Sequence, residues 1–213
     1  MSEPLPRHAM VTAAPEAWRA MLAARPDLAI DPLVAGWADA GRPLVARRAA
    51  EGDPPHLTPL GLPLPPAQGK RRIALSLPAR AILGSAAPPT LKDAAPSAPG
   101  AWRSAIDELV RLDPQTRVFG SLAWSHLTGL AYLGEGSDLD LLWDLPAPAK
   151  LDRLLAGIAA VDRRAPMRID GEILGSAGGV NWRELQAGGE VLVKGRAGVR
   201  MMSRPDYLAG SRA

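Results

Sequence analysis

Val118-Phe119-Gly120-Ser121 and, after a short intervening stretch, Ser137-Asp138-Leu139-Asp140-Leu141-Leu142 decide how this chain reads. The first is a brief apolar run ending in a small-residue turn, from which Leu122 to Leu130 continues as a helix. The second places two carboxylates at alternate positions of an apolar strand. Successive strand side chains point to opposite faces. Asp138 and Asp140 therefore share one face, while Leu139, Leu141 and Trp143 bury the other. Two acids side by side repel unless a cation sits between them. Such a pair is what a divalent metal needs, and what phosphoryl or nucleotidyl transfer needs from a metal. Gly120 and Ser121 let backbone N–H groups and a hydroxyl approach a phosphate at a helix N-terminus. An ordinary N-cap role for Ser121 is compatible with that reading.

The surroundings of this stretch alternate helix and strand. Trp102, Ile106, Leu109, Val110 and Leu112 mark an amphipathic helix that ends before Pro114. Further strands are expected over Arg117 to Phe119, Asp138 to Leu145, Met167 to Leu174 and Glu190 to Lys194. A helix is expected over Ala149 to Val161, and at most a helical turn over Trp182 to Gln186. Residues 101–213 are thus expected to form an α+β catalytic domain, a mixed β-sheet with covering helices. Residues 88–100 contain four prolines and no periodicity, which predicts a linker. Residues 1–87 are expected to form a smaller N-terminal α/β domain. Its elements are helices from Pro15 to Ala24 and Pro32 to Ala40, and strands over Pro43 to Arg47 and Lys70 to Leu77. Leu60 to Pro66 is too proline-rich for a central strand and is expected as a loop or connector.

Composition narrows the chemistry. The chain has 213 residues, 47% apolar and 22% charged, enough for a substantial core. It has no cysteine, which excludes disulfides, thiolate catalysis and cysteine-based zinc sites. His8, His56 and His126 are far apart and lack ligand spacing. Met1 to Pro4 lacks the basic start of a signal peptide, and no stretch reaches ~18 uninterrupted apolar residues. A cytoplasmic protein with no membrane partner is expected. Residues 1–80 carry ten Arg and Lys against seven Asp and Glu, whereas residues 101–213 carry fourteen of each. The excess includes Arg47, Arg48, Lys70, Arg71 and Arg72, which read as solvated surface or as a site for phosphates or an acidic partner. Aromatics make up only 4% and do not interleave with these clusters, so no nucleic-acid partner is expected.

The Gly-Ser turn followed by Asp-x-Asp resembles the nucleotidyltransferase superfamily. The longer segments Val118 to Leu130, Gly136 to Trp143, Gly61 to Ala74 and Arg168 to Glu172 are similar to one branch of it. That branch is the phosphoribosyl-dephospho-coenzyme A transferases of malonate decarboxylase, also called its holo-acyl-carrier-protein synthases. The resemblance runs from about Arg42 onward and more loosely before it. It implies transfer of a prosthetic group from triphosphoribosyl-dephospho-coenzyme A to a serine of the apo acyl carrier subunit, with pyrophosphate leaving. It further implies Mg²⁺ held by Asp138, Asp140 and a third acid on a later strand. Asp170 fills that place as ligand or base, with Glu172 the competing choice on the same face. Lys194 reads equally as a phosphate contact or a surface lysine. Trp124 and Trp143 read as core, with adenine stacking the alternative. Two other functions stay open: a nucleotidyltransferase using an ordinary nucleoside triphosphate on a small molecule, RNA or protein, and a non-catalytic carrier-binding module.

Overall fold

The computed structural model describes residues 5–195 and 198–210. Residues 1–4, which carry the expectation about a leader, lie outside the described residues. The chain divides into an amino-terminal unit up to Pro88 and a carboxy-terminal unit from Pro89.

The amino-terminal unit runs β1 (Met10–Ala13), α1 (Pro15–Ala23), α2 (Pro26–Ala29), α3 (Pro32–Ala35), β2 (Leu44–Ala46), β3 (Leu57–Pro63), β4 (Arg72–Pro78) and β5 (Ile82–Ala86). Its sheet has the order β4-β3-β2-β1-β5, with every neighbour antiparallel. Each of the three helices starts on a proline, whose missing N–H costs nothing in a first turn. Trp18, Leu22, Val34 and Trp37 are buried, as are Leu44, Leu60, Leu62, Leu75 and Leu77 of the strands. Both buried indoles are satisfied: Trp18 donates to the Val34 carbonyl and Trp37 to that of Pro43, each at 2.9 Å.

The proline-rich stretch expected as a connector is instead β3, an interior strand. Parity explains how the sheet tolerates it. The Pro59 carbonyl accepts from the Arg47 N–H, so the backbone of Pro59, and of Pro63 four residues on, faces β2. β2 has three residues and pairs only with Leu60 and Gly61. The missing N–H groups therefore interrupt no ladder, and the seven-residue pairing with β4 is intact.

The carboxy-terminal unit runs α4 (Leu91–Ala94), α5 (Arg103–Leu112), β6 (Arg117–Val118), α6 (Gly120–Thr128), β7 (Leu139–Asp144), α7 (Pro148–Asp162), β8 (Ile169–Gly175), β9 (Gly178–Asn181), α8 (Trp182–Ala187), β10 (Glu190–Lys194), β11 (Val199–Ser203) and α9 (Arg204–Gly210). Its sheet order is β11-β10-β9-β8-β7-β6. Only β7 and β8 are parallel, joined by α7 as crossover, so the sheet is mixed and the architecture α+β. Ile106 and Leu109 of α5, and Leu151, Leu155 and Ile158 of α7, are buried along with Leu141, Trp143 and Ile173 of the central strands. Full burial of such side chains stabilises by about 2 kcal/mol each.

Residues 88–100, expected as a linker, instead carry regular structure from Leu91 onward. Thr90 caps α4 by accepting from the Asp93 N–H, and Leu91 and Ala94 are fully buried. Pro96 and Pro99 lie in and before short 3-10 turns that lead into α5. The prolines shape turns of the folded unit rather than an open tether.

Candidate active site

The Gly-Ser turn and the strand acids lie against each other. β6 ends at Val118, and the Phe119 N–H donates to the Asp140 carbonyl at 2.9 Å, which ties the turn to β7. Gly120 follows at φ +63°, a left-handed conformation that favours glycine. A Cβ built on Gly120 would lie 1.8 Å from Asp140 Oδ2. The glycine is thus a cradle for this carboxylate, at the first residue of α6. Phe119 occupies the N-cap position, with no side-chain cap bond, so the capping role expected for Ser121 is not taken up. Ser121 sits one residue further, in the first turn.

Parallel pairing of β7 and β8 sets Asp140 directly opposite Asp170. Asp138 falls just before β7 rather than within it and remains 40% exposed. Arg168, immediately before β8, joins these acids. Its Nη2 is 2.6 Å from Asp170 Oδ2, and its Nε is 3.4 Å from Asp138 Oδ2. The Asp170 hydrogen bond, and then the charges of Asp170, Asp138 and Asp140, raise its pKa. For Asp170, burial alone raises the pKa. The Gly171 N–H, the Arg168 guanidinium and the Asn181 amide outweigh that, and it titrates below the usual aspartate range.

Sequence reasoning missed the group that holds Asp170. Asn181, at the end of β9, caps α8 by accepting from the Arg183 N–H through Oδ1. That cap fixes the amide, so Nδ2 points at Asp170 Oδ1, 2.8 Å away. The neighbouring Ile169 is clamped on both backbone groups. Its N–H donates to Asp162 at 3.0 Å, and its carbonyl accepts from Arg183 and Trp182. Arg183 pairs with Asp162 at 2.6 Å and lies over the Trp182 ring at 4.2 Å. No local pattern signals this clamp, because its members come from α7, β8 and α8.

Other candidates have different surroundings. Lys194, read equally as a phosphate contact or a surface lysine, places Nζ 2.9 Å from Glu172 Oε1, and the Glu172 side chain is only 6% exposed. A buried carboxylate needs such a partner. Of the two acids left open on β8, Asp170 and not Glu172 shares Arg168 with Asp138. Trp143 is core, 1% exposed. Arg47 is an internal clamp of the amino-terminal unit. Its two terminal nitrogens each lie 2.6 Å from an Asp53 oxygen, and its Nε donates to the Leu60 carbonyl. Arg47 first, and then the Ala50 N–H, holds the Asp53 carboxyl down at about 2. Arg71 pairs with Asp31 at 2.9 Å on the surface. Arg48 is half-buried, while Lys70 and Arg72 are exposed at the turn between β3 and β4.

Among the described residues, no group of three or more carboxylate or imidazole side chains is placed to hold a metal ion. The donor set nevertheless suits a hard divalent cation: oxygen ligands only, two of them on paired strands, with one carboxylate cradled by a glycine. Among the described residues, the Arg168 guanidinium places a positive charge beside these acids.

Both units match family models. Residues 6–88 match the N-terminal domain of phosphoribosyl-dephospho-CoA transferase MdcG, and residues 90–205 match its C-terminal domain. The fold is therefore that of a two-unit α+β transferase. A phosphoribosyl-dephospho-CoA transferase of Bradyrhizobium diazoefficiens is 42% identical over 211 residues, covering 96% of this chain and 93% of that protein. Proteins of the same name from Xanthomonas axonopodis pv. citri and Xanthomonas campestris pv. campestris are 36% and 37% identical. They cover 93% and 81% of this chain, and 94% and 84% of their own lengths. No solved structure matches the chain significantly. The chain belongs to the phosphoribosyl-dephospho-CoA transferase family.

Proposed function

We propose that this chain moves phosphoribosyl-dephospho-CoA from triphosphoribosyl-dephospho-CoA onto a serine of the apo acyl carrier subunit of malonate decarboxylase, in the cytoplasm. The observation that carries this reading is Gly120 seated against Asp140, with Asp140 in register with Asp170. A phosphate-approaching turn and paired acids then share one site, in a chain of this family. Asp138, Asp140 and Asp170 would hold Mg²⁺. When bound, the ion supplies charge neutralisation for the phosphates and the departing pyrophosphate.

The serine oxygen of the carrier forms a bond to the phosphorus nearest the ribose. The bond from that phosphorus to pyrophosphate breaks, and the serine proton leaves to a base. Backbone N–H groups at the start of α6 face the donor phosphates. Asp170 is held ionised by three hydrogen bonds, which suits it to ligation and makes it a weak proton acceptor. The Asn181 amide and the Ile169 clamp keep its carboxylate oriented while the phosphates move. On the amino-terminal unit, the exposed Lys70 and Arg72 offer charge to an anionic partner such as an acidic carrier.

Intact mass of the apo carrier after incubation with this protein, donor and Mg²⁺ tests the proposal. A gain equal to the prosthetic group, abolished by EDTA and by Asp138→Ala, is expected. No gain from authentic donor, with product formed from an ordinary nucleoside triphosphate, would overturn the donor assignment.

A further inference from the structure

Among the described residues, Arg168 brings a positive charge to all three site acids. Its guanidinium touches Asp170 at 2.6 Å and Asp138 at 3.4 Å, and Asp140 adds its charge. Its backbone is fixed: the Arg168 carbonyl accepts from the Leu139 N–H at 2.9 Å, between the two Asp-x-Asp acids. Its side chain is different. It is 60% exposed, and these ion pairs are the contacts that fix its head group. An anchored backbone with an exposed, rotatable charged arm is the arrangement of a group that can change partners.

We propose that Arg168 is a displaceable internal cation. In the donor-free protein it holds the carboxylates of Asp138 and Asp170 together. When a divalent cation and a polyphosphate enter, the guanidinium leaves the carboxylates to the metal and turns to the phosphate oxygens. This inference rests on the metal-site reading above.

Three features make the exchange favourable. A guanidinium stays charged at any pH a protein meets, so it cannot vacate the site by losing a proton. Its planar donor fork suits a phosphate as well as a carboxylate, so its hydrogen bonds are replaced rather than lost. Asp170 keeps two donors, the Gly171 N–H and Asn181 Nδ2, on the oxygen Arg168 does not use. Its orientation therefore survives the departure of Arg168, and the released Oδ2 faces the incoming cation. The consequence is coupling. Metal alone competes with Arg168 and binds weakly. Metal together with a polyphosphate binds tightly, because the displaced arm gains a partner.

Direct Mn²⁺ titration without carrier tests this, following metal binding rather than turnover. Arg168→Gln is expected to bind Mn²⁺ about tenfold more tightly than the parent, because a unit charge adjacent to a divalent ion is removed. Arg168→Lys, which restores a cation, returns affinity toward the parent value. Adding inorganic triphosphate is expected to tighten Mn²⁺ binding severalfold more in the parent than in Arg168→Gln. Parental Mn²⁺ binding that is lost in Asp138→Asn but unchanged or weaker in Arg168→Gln would overturn the Arg168 proposal and leave the metal site standing. No Mn²⁺ binding by any form, with transfer indifferent to EDTA, would overturn both. The substituted side chain is exposed and its backbone bonds are unaffected, so both variants are expected to fold. Parental thermal midpoints would confirm that.

Discussion

Gly120→Ala puts the site geometry at risk with a single methyl group. Two costs follow from the structure. Alanine at φ +63° sits in the left-handed region, which costs about 1–2 kcal/mol. The new Cβ would also lie 1.8 Å from Asp140 Oδ2, so the carboxylate must retreat by about 1.6 Å to reach the 3.4 Å at which ordinary contact begins. Such overpacking costs roughly 1–3 kcal/mol. The sum, roughly 3 kcal/mol, leaves a domain of ordinary stability folded. The displacement matters more for chemistry, since misplacing a reacting group by about 1 Å can slow a reaction ~100-fold. Gly129→Ala separates the two costs. Gly129 has φ +69° and nothing within 4 Å of the corresponding Cβ, so it carries the conformational strain without the collision. Urea unfolding and the rate of carrier mass gain should be measured on both. Gly129→Ala is expected to lose about 1 kcal/mol and keep its rate. Gly120→Ala is expected to lose more stability and at least ~100-fold in rate. Equal stabilities and equal rates in the two variants would refute the cradle argument.

Asp138→Ala and Asp140→Ala should each abolish transfer while far-UV circular dichroism keeps its parental shape. Asp138 is exposed enough that its loss should change stability by no more than ~0.5 kcal/mol. Glu172→Ala leaves the half-buried Lys194 ammonium without its carboxylate and should cost about 3 kcal/mol in urea unfolding, whereas Glu172→Leu combined with Lys194→Met should recover most of it. If Lys194→Met weakens donor binding without loss of stability, Lys194 acts on phosphate after all. Asp162→Ala removes the acceptor for both the Ile169 N–H and Arg183, and should destabilise by about 2 kcal/mol and slow transfer through loosening of β8. Asp53 ionises near 2 in the folded chain against ~3.9 unfolded, so its pairing with Arg47 stabilises above about pH 4. That contribution fades as pH falls through about 2. The gap in urea midpoint between the parent and Asp53→Asn should therefore be full at neutral pH and close between about pH 4 and pH 2.

The strands and helices with strong periodicity were legible in sequence. β10 runs from Glu190 to Lys194 as the alternation predicts, and α5 and α7 lie within a residue or two of the expected ends. Weak patterns hid the rest. β9 contains Gly178 and Gly179 and lacks apolar alternation, yet it completes the sheet and supplies Asn181. The prolines of β3 argued for a connector because sequence does not show that β2 is too short to need their N–H groups. At the candidate site, Asp138 and Asp140 could be nominated from their spacing, and Asp170 only through the family resemblance, with Glu172 beside it. Arg168, Asn181, Asp162 and Arg183 could not, because their roles arise from tertiary pairing across four elements. Charge clusters misled in one respect: Arg47 sits in a basic run but clamps Asp53.

Parallel pairing of β7 with β8 also sets when this site can exist. Asp140 and Asp170 lie at opposite ends of a helical crossover, so no local segment of a nascent chain brings them together. Closing that loop carries its entropy cost before the pairing repays it, and such non-local contacts form late. The acids, the Gly120 cradle and Arg168 therefore meet only once α7 has docked. A partly folded chain has no assembled centre, and ribosome-bound or proteolysed fragments ending within α7 should show no transferase activity.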